Sequence, residues 1–143
     1  MKTVLELNKW ANEHTNIGVD ALRVLLGAFL SYKGFYLLNN PEESTKVLWS
    51  LPGLGGTDLL MITSIASYIH IVGGILIALG LFTRLSILVQ LPMVTTALFV
   101  NMSAGMIENN LLQASLTFIA CLCFFFYGSG RHSLDYVFKL QLK

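Results

Sequence analysis

Four apolar stretches, each close to the length of a bilayer crossing, dominate this chain. They run from about Gly18 to Leu38, Leu59 to Phe82, Leu85 to Met102 and Leu111 to Tyr127. A helix needs about 20 predominantly apolar residues to cross roughly 30 Å of hydrocarbon. An amphipathic helix of a soluble protein carries a polar stripe at a period of about 3.6 residues. The second stretch, LLMITSIASYIHIVGGILIALGLF, and the fourth, LLQASLTFIACLCFFFY, carry none. The sequence therefore predicts an all-α integral membrane four-helix bundle, a single transmembrane domain over residues 1–143.

Composition agrees and narrows the function classes. Charged residues make up 12% of the chain and hydrophobic ones 55%, against about 25% charged in a typical soluble domain. A disordered chain would need the opposite balance. A net charge of +1 leaves no basic footprint for nucleic acid. Two cysteines are too few for a disulfide scaffold.

Residues 1–17 lack the small-residue cleavage site of a signal peptide. Val4, Leu7 and Ala11 share one helical face with Trp10 beside it. This reads either as an interfacial helix anchored by Trp10 or as a frayed tail. Lys2, Lys9, Arg84, Arg131, Lys139 and Lys143 fall on one side of the spans, with Arg23 just inside the first; Lys46 stands alone on the other. The positive-inside rule then puts both termini in the cytoplasm, which agrees with an even number of spans placing them on one side. Spans two and three, joined by little more than Thr83-Arg84, must be antiparallel neighbours. The long connection 39–58 is broken by Pro41, Pro52, Gly53, Gly55 and Gly56, with one or two helical turns expected over Glu42–Leu51 and Trp49 at the membrane surface.

Within a bilayer the polar residues carry the information, because a charge at a helix centre costs about 2.5–3.5 kcal/mol to insert. One group gathers at the cytoplasmic edge: Asp20, Arg23, Arg84, Arg131 and Asp135. Asp20 and Arg23 are three residues apart and can pair on one face. The group reads as a charged belt that staples helix ends, or as a site for an anionic headgroup or acidic substrate. A second group lies deeper: Lys33, His70, Thr95 and Thr96, with Glu108 and Gln113 near the outer mouth of span four. Together these six are candidates for a pocket opening outward. Lys33 has the alternative of snorkelling to the surface. His70 has no such escape; it must face the interior and find a partner, as a structural hydrogen-bonder or as a ligand.

Gly27 and Gly34 on span one, and Gly73, Gly74 and Gly80 on span two, predict close helix packing. Pro92 predicts a kink in span three. Cys121 and Cys123 point to nearly opposite helix faces and read as apolar fillers. No metal site, paired haem ligand, iron–sulfur motif or dinucleotide fingerprint is visible.

Several of these features together resemble the DoxX family of small four-helix membrane proteins. They are Arg23 and Lys33-Gly34 in span one, HIVGGILIALGLFTR in span two and GSGRHSLD after span four. The resemblance covers most of residues 18–136. The family's frequent glutamate before Gly-Gly is His70 here, which keeps proton exchange near neutral pH but removes a fixed acid. The resemblance implies an inner-membrane protein, with relatives such as the DoxD-type subunit of thiosulfate:quinone oxidoreductase. It thus implies a quinone-linked redox subunit, with His70 bonding a quinone carbonyl and Lys33 stabilising developing negative charge, Thr95 or Thr96 assisting. The electron donor would be a sulfur compound or a partner subunit. The alternative is a non-catalytic accessory subunit or assembly factor, whose partners are the bilayer and other membrane-protein subunits or further copies of the chain.

Overall fold

The computed structural model describes residues 17–42, 45, 57–103, 108–128 and 133–137. The long helices are α1 (Ile17–Asn39), α2 (Thr57–Leu79), α3 (Thr83–Ser103) and α4 (Glu108–Tyr127), followed by the single turn α5 (Leu134–Val137). All four long helices are long and apolar enough to cross a membrane. No strand occurs among the described residues. Trp10 with the interfacial segment, Trp49 and Arg131 lie outside the described residues, as does the side chain of Glu108.

Helix α2 ends three residues earlier than its hydropathy suggests, and the reason is local. Gly80 adopts φ +69°, a left-handed conformation that glycine enters without a Cβ penalty. Its N–H donates to the Ile77 carbonyl at 3.1 Å, and the N–H of Leu81 donates to that of Leu76 at 2.8 Å. These two bonds form a Schellman motif that satisfies the last carbonyls of the helix. The turn between α2 and α3 is therefore Gly80–Phe82, and Arg84 sits in the first turn of α3 rather than in the connection. Helix α4 stops in a similar way, with Gly128 at φ +84° and its N–H bonded to the Phe124 carbonyl at 2.8 Å.

The helices run up, down, up, down, and glycine sets the closest approach. A Cβ on Gly27 would lie 2.5 Å from the Ala78 nitrogen, and one on Gly34 would lie 2.7 Å from the Ser67 carbonyl oxygen. A Cβ on Gly74 would lie 2.6 Å from the Gly27 carbonyl oxygen. The backbones of α1 and α2 thus meet directly, as small-residue faces allow in a membrane. Gly73 serves another purpose: the side chain of Gln90 from α3 occupies the space its Cβ would fill. Helix α3 continues as one helix through Pro92, which has no N–H to return to the Leu88 carbonyl.

The radial pattern is that of a protein solvated by lipid. Large apolar side chains point outward on every long helix, among them Leu25, Met61, Phe99 and Phe126. The interior holds Thr63, Ser67, His70, Gln90 and Thr117. Hydroxyls of Thr63, Ser67 and Thr117 each donate to the carbonyl four residues earlier, at 2.8, 2.7 and 2.7 Å, so none is left unsatisfied in hydrocarbon. Leu26, Leu30, Ile77, Ile87, Val94, Cys121 and Phe124 form the apolar core. Most of them lie toward the end of the bundle that holds the α2–α3 turn. The opposite end, where α1 and α3 finish and α2 and α4 begin, is less filled.

Candidate functional site

Polar side chains collect at both ends of the bundle. At the turn end, Asp20 and Arg23 form an ion pair at 3.0 Å, one helical turn apart on α1, with Arg23 only 3% exposed. Asp135 arrives from the segment beyond α4. One of its carboxylate oxygens accepts from the Phe82 N–H at 2.7 Å and the other from the Thr83 N–H at 3.3 Å. An acidic side chain at a helix N-terminus satisfies unpaired donors and matches the helix dipole. The N–H of Asp135 returns a bond to the Gly80 carbonyl at 3.0 Å. Its charge adds to that of Asp20 in attracting Arg23. Nη2 of Arg84 donates to the Phe126 carbonyl at 3.2 Å, near the C-terminus of α4. Of the five charges grouped by sequence, the four within the described residues lie at this end: Asp135 and Arg84 bond to other segments, while Asp20 and Arg23 pair within α1. The geometry is that of a staple.

At the other end the four long helices enclose a cavity of about 400 Å³. Helix α1 contributes Lys33 and Phe29, α2 contributes His70, α3 contributes Thr96 and Asn101, and α4 contributes Gln113 and Thr117. Four of the six deep residues singled out by sequence therefore share one space. Thr95 does not: it is exposed and turns its hydroxyl back to the Leu91 carbonyl at 2.7 Å. Adjacent helix positions differ by about 100°, so Thr95 and Thr96 cannot both face inward. Thr96 lines the cavity while its hydroxyl is bonded to the Pro92 carbonyl at 2.9 Å.

His70 is the best-defined group in this site. It is buried, and its Nδ1 lies 2.5 Å from Oε1 of Gln90, a side chain with no exposure at all. Nε2 of Gln90 donates to the backbone carbonyls of Ile69 and His70 at 3.0 and 3.4 Å. Those carbonyls can only accept, so the amide is oriented with its oxygen toward the imidazole. That oxygen can only accept in turn, which assigns the proton to Nδ1 of His70. Nε2 of the neutral ring then carries a lone pair, and no partner for it occurs among the described residues. His70 lines the cavity, so this nitrogen is the base available to a bound molecule.

Lys33 lines the cavity as well. Its ammonium lies 5.6 Å from the centre of the Phe29 ring, a cation–π arrangement, and the residue is half-buried. No carboxylate pairs with it among the described residues. The cavity thus offers one cation, one hydrogen-bonding base and several amides on otherwise apolar walls, a composition suited to a mostly apolar ligand with a few polar atoms.

Gln90 is the functional residue that sequence reasoning missed. Two signals point to it. It is the one amide in the middle of an apolar span, and His70 and Gln90 stand ten residues either side of Gly80. In two antiparallel helices joined by a tight turn, such positions reach the same depth.

No curated protein and no solved structure matches the chain. A family model, DoxX, matches residues 18–102, covering the first three spans nearly to the end of α3. Both the glycine-rich face of α2 and the His70–Gln90 pair fall within the matched segment, whereas α4 and Asp135 lie beyond it. With more than half of its length matched and four membrane-spanning helices, this chain belongs to the DoxX family.

Proposed function

We propose that the cavity at the far end of the bundle binds the headgroup of a quinone, and that the chain is the quinone-binding subunit of a redox assembly in the inner membrane, with both termini cytoplasmic. The observation that carries this reading is the convergence of Lys33 and His70 on one cavity, with Nδ1 of His70 committed to Gln90 and Nε2 left for the ligand. Reduction of a quinone to a quinol consumes two electrons and two protons. In the quinone state, a protonated Nε2 of His70 donates to a carbonyl oxygen and passes that oxygen one of the two protons as the electrons arrive; in the quinol state, the neutral nitrogen accepts from the new hydroxyl, and the second proton is taken from water. A histidine changes charge near neutral pH, so it can do both. Lys33 supplies positive charge against the negative charge that develops on the ligand oxygen. The described residues bring together no three side chains able to hold a metal ion; in this reading the electrons come from a reduced partner subunit. The Lys and Arg bias of the sequence supports the cytoplasmic placement of both termini in this reading.

The test is binding. Purified protein in detergent is titrated with a short-chain quinone, and small molecules released from the native assembly are identified. His70→Ala and Lys33→Met should each weaken binding by about tenfold, the loss of one hydrogen bond or one charge interaction, while the thermal melt stays cooperative. Absence of quinone binding by the wild type, or binding unchanged in both variants, would refute the reading. A stoichiometric set of partner proteins without quinone would instead establish an accessory subunit.

A further inference from the structure

The four seams of the bundle are not equally closed. Helix α1 packs most intimately on α2, α4 on α3, and the seam between α1 and α4 is the least packed. The contacts along it are uneven. At the turn end, Tyr127 marks an edge of α4 that packs against the apolar core, and at the other end Gln113 of α4 lines the cavity together with Phe29, Lys33 and Tyr36 of α1. Following that edge in steps of seven residues leads to Ala120 and then Gln113; a heptad step returns to nearly the same face, with a drift of about 20°. Tyr127 and Ala120 are partly buried against the core, whereas Gln113 is exposed. Leu116, beside it, is 59% exposed. The seam is shut at the turn end and open at the other.

The facing edge of α1 agrees. Gly27, Ser31 and Gly34 are given to α2. Phe29, Lys33 and Tyr36 occupy the other edge, line the cavity, and remain partly open, Tyr36 by 43%. Gln113 lies five residues inside α4, roughly 8 Å below the helix end at about 1.5 Å per residue. Leu116, one turn further along and also exposed, carries the opening into the apolar span Asn110–Tyr127.

From this geometry we infer that the α1–α4 seam is a lateral portal, and that the ligand of the cavity is an amphiphile whose hydrocarbon tail lies in the seam, across Phe29 and Leu116, while its headgroup reaches His70. The inference rests on reading the cavity as a headgroup site. Lys33 stands at the threshold: its alkyl stem flanks the tail path and its ammonium is held against Phe29 until a polar head passes. Entry from the lipid phase lets the tail keep its apolar surroundings throughout, so no methylene group passes through water.

The experiment uses the full chain in phospholipid vesicles and a quinone bearing a photoreactive diazirine on a ten-carbon tail. After illumination the labelled residues are located by mass spectrometry, with and without excess tail-less quinone. The proposal requires labels on Phe29, Lys33 or Tyr36 of α1 and on Gln113 or Leu116 of α4. Labels confined to the α2–α3 seam, to the lipid-facing sides or to the helix ends would overturn it. Competition by the tail-less quinone decides the other reading separately. Seam labels that resist competition keep the portal and refute the quinone headgroup site. Leu116→Trp narrows the portal and should lower seam labelling by roughly tenfold, the scale on which an apolar channel discriminates a misfit of a methylene or more. Ile119→Trp, on an exposed side of α4 away from the cavity, should not. Equal labelling in the two variants would also overturn the proposal.

Discussion

Replacing Gly27 with alanine tests whether α1 and α2 truly meet backbone to backbone. The added methyl would stand 2.5 Å from the Ala78 nitrogen and 2.8 Å from its Cα, where ordinary contact begins near 3.4 Å. Both obstacles are main chain of a helix, so neither can rotate away. Relief requires the helices to part by about 1 Å at this point, the difference between 3.4 and 2.5 Å. Parting also stretches the second bond of Ser31, whose hydroxyl donates to the Gly27 carbonyl at 2.9 Å and reaches across to the Ile71 carbonyl at 3.4 Å. Overpacking of this kind costs about 1–3 kcal/mol. Alanine gains about 1 kcal/mol over glycine in helix propensity, which leaves a net loss of up to about 2 kcal/mol. Gly18→Ala is the matched control, because nothing lies within 4 Å of the Cβ it would add; it should be neutral or slightly stabilising. Denaturant unfolding in mixed micelles, followed by far-ultraviolet circular dichroism, measures both. A Gly27→Ala protein as stable as the Gly18→Ala protein would refute the packing argument.

Further substitutions probe the two ends of the bundle. Gln90→Leu keeps the volume but leaves Nδ1–H of His70 without an acceptor, and should destabilise by about 1–3 kcal/mol. A double-mutant cycle with His70→Phe should recover much of that loss, and simple additivity would show that the two side chains do not interact. Asp135→Ala should cost about 1–2 kcal/mol for the lost cap on α3; Asp135→Asn, which keeps an acceptor oxygen, should cost less in the same unfolding assay. Gly80→Ala places a Cβ at φ +69° and 2.6 Å from that of Ser133. It should lower stability by about 1–2 kcal/mol from backbone strain alone, and an unchanged unfolding midpoint would argue against the Schellman turn.

The spans were legible in the sequence because hydrocarbon imposes a length and excludes charge, and both signals survive without knowledge of packing. Their ends were less legible. Hydropathy carries α2 on to Phe82, but Gly80 stops it at Leu79, since a left-handed glycine ends a helix regardless of how apolar the next residues are. The two roles of adjacent Gly73 and Gly74, one admitting Gln90 and the other α1, depend on helix rotation, which residue spacing alone does not set. For the same reason Thr95 and Thr96 looked equivalent in sequence and are not. The meeting of Lys33 and His70 at one cavity needed the structure, whereas the pairing of Asp20 with Arg23 did not, being local to one helix.

The reach of Asp135 bears on how the protein is made. Its carboxylate caps a helix whose start precedes it by 52 residues, so α3 leaves the ribosome long before its cap exists. Until residue 135 is translated, the N–H groups of Phe82 and Thr83 wait without this acceptor. Insertion of the spans can proceed in order, but the bundle closes only after the segment beyond α4 has been synthesised. A nascent chain halted before Asp135 would therefore carry all four spans and still lack the fastener that joins its first helix, its central turn and its end.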